Sequence, residues 1–200
     1  MRFFAIFALS VFVLLLSGCA VKEPQIKPYN YTLDPVVLIK RYTQSNNDVL
    51  KIGRIEGSNG LNTRSILYKK DGALQPYKYG IWSDMPSSRL QYLIAEALQD
   101  QHQFHSTVTS SSMAMSNLIL EPILQEFEEV FSAQNKSHVH VGIRFRLVDI
   151  KTGQVIDSTK ISSKKEVTNK NGAQGTVEAF NGATSEVIEA LSLWLNDIRK

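Results

Sequence analysis

Apolar and polar residues alternate without interruption between positions 138 and 147 of the chain. The apolar members are Val139, Val141, Ile143, Phe145 and Leu147, and the others are His138, His140, Gly142, Arg144 and Arg146. A period of two is typical of a β-strand that is buried on one face and wet on the other. A polar turn over 149–153 and an alternating return over 155–167 predict an antiparallel partner for this strand.

Two other stretches repeat every three or four residues, which is the period of an α-helix with one apolar face. The apolar residues are Leu90, Leu93, Ile94, Ala97 and Leu98 in the first, and Val177, Phe180, Thr184, Val187, Leu191, Trp194 and Ile198 in the second. Ser83 or Asp84 can cap the first helix, and Pro86 suits its first turn. The second helix is predicted over 176–198.

Shorter apolar alternations predict five further strands, over residues 29–33, 49–56, 65–68, 74–81 and 104–109. Asp71-Gly72 is a hairpin turn signal. A long strand over 118–131 contains Pro122, where the apolar parity changes as at a bulge or an edge position. Residues 36–42 are apolar but too few to distinguish strand from helix. The order of elements predicts an α+β fold, a mostly antiparallel sheet with two long helices packed on it.

Ahead of these elements, an apolar run over residues 3–16 follows the positive Arg2 and ends in two small residues and Cys19. A positive region, an apolar stretch and small residues are the layout of a secretory signal. With a cysteine at the cleavage position, the stretch resembles a bacterial lipobox. There the Cys19 sulfur takes a diacylglyceryl group, the signal is cut before Cys19, and the new amine is acylated. This chemistry needs a thiol, because a thiolate is nucleophilic near neutral pH.

The alternative is an ordinary signal peptide or a spanning anchor with an incidental cysteine. The run is about five residues short of the ~20 that a spanning helix needs, and Cys19 is the chain's one cysteine. Two or more acyl chains, such as palmitate, anchor a protein stably. Ala20 follows the cysteine, which by resemblance to enterobacterial sorting favours the outer membrane. We predict a cleaved signal over 1–18, a lipidated tether over 19–30 and one domain over 31–200, on the periplasmic face.

Composition and charge narrow the class of protein further. Hydrophobic content of 43% and charged content of 20% are ordinary globular values. Removal of the signal leaves 21 basic and 19 acidic residues, and no run of Lys or Arg exceeds two, so we expect no nucleic-acid partner. With Cys19 lipidated, no intramolecular disulfide is possible, and packing must hold the fold in an oxidising compartment.

The residues that carry catalytic or metal chemistry elsewhere form weak patterns here. His138 and His140 share a strand face, but two imidazoles without a third ligand fit exposed strand histidines better than a metal site. Serines 110–112 lack the glycine-flanked nucleophile pattern of hydrolases. The acidic cluster at 126–129 is interpreted as a solvated strand face or edge protection. No phosphate-binding glycine loop is present. We therefore expect no enzyme, no cofactor and no metal.

An aromatic segment before the first predicted helix fits two interpretations. Tyr77, Tyr79 and Trp82 combine apolar bulk with polar tips, and with the nearby Met85 they suit a surface for a partner or for lipid. In the other interpretation, the tyrosines line the core and Trp82 fills the corner between sheet and helix. The core interpretation is slightly favoured for Tyr79 and Trp82.

The same residues resemble a known family. Tyr79 and Trp82, then Met85-Pro86 and the first helix, look like the signature of PqiC-like ABC-type transport auxiliary lipoproteins. Further features match in order: the long strand over 118–131, Asp149 with Thr152-Gly153 before a strand, and the closing helix with Trp194-Leu195. The likeness covers most of the mature chain and is weakest over 36–63.

This resemblance implies a non-enzymatic lipoprotein that works with an MCE-domain protein and ABC transporter components. Such systems move phospholipid or other hydrophobic molecules between two membranes. The resemblance implies that the auxiliary lipoprotein docks the transport machinery at the outer membrane, and a homo-oligomeric ring is one arrangement that it allows. The alternative is an outer-membrane lipoprotein that regulates cell-wall synthesis or scaffolds envelope assembly. That class usually needs a long linker, whereas the tether here has only about a dozen residues. A periplasmic hydrolase is the third hypothesis.

Overall fold

Nine strands and two helices make up the part of the chain that the computed structural model describes, which is residues 27–38, 40–42, 46–57, 60–132, 136–169 and 172–198. The strands are β1 (Tyr29–Tyr31), β2 (Asn46–Ile52), β3 (Glu56–Gly57), β4 (Ser65–Lys70), β5 (Ala73–Trp82), β6 (Phe104–Thr109), β7 (Leu118–Phe131), β8 (Ser137–Asp149) and β9 (Val155–Glu166). The helices are α1 (Pro86–Asp100) and α2 (Ala173–Asp197). The predicted signal and Cys19 lie outside the described residues.

Strand β7 is the axis of the sheet. Along one edge it pairs over its whole length with the antiparallel β8, which in turn pairs with the antiparallel β9. Along the other edge it takes three short parallel strands in succession, β2 near its start, β3 in the middle and β4 near its end. Fourteen residues are long enough to serve three short neighbours on one side.

Beyond β7 the sheet divides into two branches. One branch adds β6 in parallel to β2, and the other adds β5 antiparallel to β4, with β1 parallel to β5. The predicted hairpin between β4 and β5 is confirmed. Asp71 and Gly72 have φ values of 51° and 81°, and two successive positive φ values are what a tight type I′ turn requires.

The core lies between the sheet and the two helices. All five apolar residues of the β8 alternation are 0% exposed, so the prediction of a strand buried on one face is confirmed. Trp82, Phe127 and Phe180 meet where β5, β7 and α2 converge, with ring centroids 4.4–5.8 Å apart. The predicted α+β class is confirmed, as a mixed sheet in which the long pairings are antiparallel. Within the described ranges, neither helix combines the length and hydropathy that crossing a bilayer requires.

The bulge of β7 lies after Pro122, the residue at which the sequence predicts a bulge or an edge position. Pro122 pairs with Phe145 and is buried, whereas the register shifts between Leu124 and Glu126. Ile123, 37% exposed, is therefore on the outer face. Pro122 lies between the residues of β7 that pair with β2 and those that pair with β3. Proline has no backbone N–H, and at this gap between the two short strands its absence costs no hydrogen bond of the sheet.

The predicted cap of α1 is wrong. Met85 occupies the N-cap position and no side chain bonds the helix end, although Pro86 does begin the helix. Ser83 is held elsewhere, since its N–H donates to the Tyr31 carbonyl at 2.7 Å and its hydroxyl is 3.3 Å from that of Thr32.

Residues 32–38 and 40–42 form neither strand nor helix and run alongside α2. We call residues 32–38 and 40–42 the strap. The Asp34 N–H donates to Asn181 Oδ1 at 2.9 Å, and the Leu38 N–H donates to Glu189 Oε1 at 3.2 Å. Helix side chains thus satisfy strap backbone groups that a sheet ladder would otherwise satisfy. Leu33 is buried, whereas Leu38 is 74% exposed.

Candidate functional site

A break in register between β4 and β5 shapes the candidate site. Ser65 pairs with Ile81 but Leu67 pairs with Pro76, so β5 has three more residues than β4 in this interval. The residues of β5 at 77–80 consequently have no partner in β4, as at an enlarged bulge. Strand β1 pairs with the end of this segment and closes its other edge.

An open groove of about 630 Å³ lies at this irregular segment. We call it the aromatic groove, because five of the chain's seven tyrosines line it. Its aromatic residues are Tyr29, Tyr31, Tyr68, Tyr77, Tyr79 and Phe131. They come from β1, β4, β5 and the end of β7, and the start of α2 completes the wall.

The rings of the groove are fixed by one another. The Tyr68 ring meets Tyr77 at a centroid distance of 5.2 Å and Phe131 at 5.7 Å, both edge to face. Such pairs contribute about 0.5–1.5 kcal/mol beyond the area they bury. At Gly80 an added Cβ would lie 2.9 Å from the Cβ of Ala173, so glycine allows α2 to begin this close to β5.

A buried carboxylate lies behind the groove wall. Glu129 is 2% exposed and its Oε2 accepts hydrogen bonds from the hydroxyls of Tyr77 and Thr176, the latter at 2.8 Å. The interpretation of 126–129 as a solvated acidic face is wrong for Glu129, because the β7 bulge turns it towards α2. Burial, together with the bond to Glu129, raises the pKa of the Tyr77 phenol far above its ordinary value.

The rim of the groove is cationic. Lys70 and Lys78 are the charged residues of its lining, and the lining contains no carboxylate. The Lys78 Nζ lies 5.3 Å from the centroid of the Tyr79 ring, within cation–π range. Among the described residues no carboxylate comes within salt-bridge distance of either lysine. The groove therefore combines apolar walls with uncompensated positive charge.

The structure separates the four aromatic and apolar residues that the sequence suggests for an interface. Tyr77 and Tyr79 both line the groove, and Tyr79 is 44% exposed. Trp82 is 1% exposed, so the core interpretation that the sequence favours is right for Trp82 and wrong for the exposed Tyr79. Met85 is at the start of α1, exposed but outside the groove lining. A binding role for Tyr77, Tyr79 and Met85 stays a prediction.

The rest of the groove is missed by reasoning from sequence. Tyr68, Phe131 and Lys70 reach it from strands whose mutual register no local pattern encodes. One signal was available, because the Tyr-x-Tyr spacing occurs twice, at 29–31 and at 77–79. Both copies line the same groove.

The outer face of the sheet is polar and holds the predicted histidine pair. His138 and His140 are both partly buried there, and no group of three potential metal ligands occurs within the described residues. Burial lowers the pKa of His140 and raises that of the neighbouring Glu128. Glu126 pairs with Lys160 at 2.5 Å, and its carboxylate occupies the space above Gly142 that a side chain would fill.

Comparison with known families gives a match over most of the described domain. Residues 31–192 match the model of the ABC-type transport auxiliary lipoprotein component family. No curated protein sequence matches the chain.

Solved structures share the fold at low sequence identity. A protein from Xanthomonas campestris assigned to the family DUF330 is similar with a TM-score of 0.76 and 16% identity, over 86% of this chain and 96% of that one. A second solved structure, of an uncharacterised protein, is similar with a TM-score of 0.66 and 13% identity, over 84% of this chain and 99% of that one.

Proposed function

Since the chain belongs to the ABC-type transport auxiliary lipoprotein component family, we propose that it is a non-enzymatic accessory protein of an intermembrane phospholipid transport system. In this proposal it is anchored at the periplasmic face of the outer membrane and works with an MCE-domain protein and ABC transporter subunits. The observation that carries the proposal is the family match. The match includes α1, most of α2 and all nine described strands, except for the first two residues of β1.

The N-terminal sequence supports the anchored location. Cys19 follows an apolar signal and two small residues, and eight positions separate it from Lys27, where the described chain begins. A tether of that length spans at most roughly 29 Å when fully extended. The domain would thus work close to the membrane surface that holds its acyl chains.

The aromatic groove supports a role in handling hydrophobic molecules. It has apolar walls and a volume inside the roughly 300–1,000 Å³ range of small-molecule sites. An accessory protein of this kind binds and positions molecules without making or breaking covalent bonds.

The test is affinity purification of the full-length lipidated protein from its native membrane in mild detergent, with mass spectrometry of proteins and lipids. We expect recovery of an MCE-domain protein and ABC subunits. A Cys19→Ala variant, expressed at the same level, is the control and should recover much less of either, because it lacks the anchor.

Recovery of a peptidoglycan synthase in place of transport subunits would overturn the proposal and favour the regulator of cell-wall synthesis. The sedimentation coefficient of the same preparation measures the copy number in the assembly.

A further inference from the structure

The composition of the aromatic groove specifies a kind of ligand. Tyrosine rings offer apolar faces with a polar tip, the combination that places tyrosine at membrane–water interfaces. Tyr29 is 69% exposed and Tyr79 is 44% exposed, although both are large aromatic residues. The exposed rings therefore offer an apolar track along which a hydrocarbon chain loses contact with water.

The charge at the rim specifies the other end of that ligand. Lys70 and Lys78 lie on the groove lining without a carboxylate among the lining residues. Lysines near a membrane attract anionic headgroups, each contributing on the order of a factor of five in affinity. Apolar walls and a cationic rim together complement an amphiphile with a negative head.

The position of the groove specifies the source of the ligand. Tyr29 and Tyr31, in the first described strand, are themselves part of the lining. The described part of the chain thus begins at the groove, and only eight positions separate Lys27 from Cys19. The groove would stand within roughly 30 Å of the anchoring leaflet.

We propose that the aromatic groove binds a single anionic phospholipid, with an acyl chain along the tyrosine rings and the phosphate at the cationic rim to which Lys70 and Lys78 belong. The inference rests on the proposed function for its membrane setting, and it names the substrate class and the binding site. The alternative occupants of the groove are the chain's own residues 20–26 and a second copy of the protein. The following experiment distinguishes both from a lipid.

The experiment places a photo-cross-linking phenylalanine analogue at Tyr79 of the full-length lipidated protein on phosphatidylglycerol vesicles. Tyr92, 54% exposed on α1 and outside the groove lining, is the matched control position. After irradiation, intact-mass spectrometry is expected to show one added phosphatidylglycerol at position 79 and none at position 92. Equal adducts at both positions, or an unmodified mass at position 79, would overturn the proposal.

Two protein outcomes would also overturn it. A covalent dimer would assign the groove to a second copy, and a cross-link to residues 20–26 would assign it to the tether. Peptide mapping of the irradiated protein distinguishes the two.

Charge reversal tests the headgroup part. The variant K70E/K78E is expected to lower the lipid adduct at position 79 by tenfold or more, whereas K151E/K164E, with the same net charge on other surfaces, should leave it within twofold. An equal loss in both variants would reduce the effect to net charge and contradict a phosphate site. Circular dichroism checks that both variants fold.

The result is independent of the purification experiment. A lipid adduct at position 79 without transport subunits in the purification would leave the groove a lipid site and overturn the proposed function. Transport subunits in the purification without a lipid adduct at position 79 would support the proposed function and overturn the lipid site.

Discussion

Tyr77 belongs to two environments at once. Its ring forms part of the groove wall against Tyr68, and its hydroxyl donates to Glu129 behind that wall. A buried carboxylate is tolerated only where hydrogen bonds replace its hydration. The wall of the groove is therefore fixed by a polar contact that also stabilises the core.

Removal of one hydroxyl tests this contact. We expect Tyr77→Phe to lower the free energy of unfolding by about 1–3 kcal/mol, because Glu129 loses a donor that water cannot easily replace. Urea unfolding followed by tryptophan fluorescence measures the change. Tyr79→Phe is the matched control at an exposed position of the same strand and should stay within about 0.5 kcal/mol. Equal losses in the two variants would contradict the role of Glu129.

The raised pKa of Tyr77 makes a prediction about alkaline pH. Above about pH 10 the unfolded chain releases the Tyr77 proton while the folded chain keeps it. The unfolded state then binds fewer protons, so stability falls as pH rises. The advantage of the wild type over Tyr77→Phe should therefore shrink between pH 8 and pH 11, measured by the same urea unfolding. An advantage that is constant over this range would show that the phenol titrates normally in the fold.

At the scale of elements, α2 contains two glycines in different surroundings. A Cβ at Gly175 would lie 1.8 Å from the backbone oxygen of Asn169, a contact that requires the loop before the helix to move. The atoms nearest to a Cβ at Gly182 would be methylene groups of Lys165, at 3.5–3.8 Å, which is ordinary van der Waals contact. The first glycine is required by a close approach, and the second is not.

The two glycines give opposite predictions in one helix. Gly175→Ala should destabilise the protein by about 1–3 kcal/mol through overpacking. Gly182→Ala should stabilise it by about 0.5–1 kcal/mol, because alanine has the higher helix propensity. Thermal unfolding of both variants beside the wild type measures the difference, and a shift of the same sign in both would contradict the packing before α2.

Elements with one buried face could be predicted from sequence, and those fixed by register could not. Strand β8 and both helices show their period because one side of each is in the core. The sequence alone points to Pro122 for the β7 bulge, since an alternating pattern shows that parity changes but not which residue is doubled. The strap has no period to detect, because helix side chains such as Asn181 bond its backbone.

At the scale of the molecule, the two ends of β7 present different surfaces. Its last residue, Phe131, lines the aromatic groove, while exposed apolar side chains lie near its first residue. Met113 and Met115 are 97% and 94% exposed there, and Ile150, 45% exposed, is joined to the same loop by a bond of 2.9 Å from its N–H to the Asn117 carbonyl. A fourteen-residue strand separates the ends by roughly 43 Å.

The separation predicts an orientation on the membrane. Nitroxide labels on Tyr29→Cys and Met115→Cys, each in the lipidated protein on vesicles, report contact with lipid-soluble oxygen or a water-soluble nickel complex. We expect the label at 29 to collide with oxygen and that at 115 with nickel, because the described residues closest in sequence to Cys19 lie at the groove. A label at 115 that contacts oxygen as often as the label at 29 would contradict this orientation.

The fold class could be predicted at this scale, whereas the branching of the sheet could not. The segments that form β2, β3 and β4 meet β7 in parallel through only two or three residue pairs each. Pairings that short leave no mark in a single sequence, and the aromatic groove depends on the branch that they create. The groove was therefore visible only as two isolated pairs of tyrosines.

The parallel pairing of β1 with β5 has a mechanical consequence. Tension on the chain at Lys27, directed away from the domain along β1, slides β1 against β5 instead of peeling it away. All three residue pairs, from Tyr29–Gly80 to Tyr31–Trp82, then resist together, and the strap on α2 is loaded only after they yield. A pull from the tether in this direction therefore loads β1 in shear, and the three pairs must break together and not one after another.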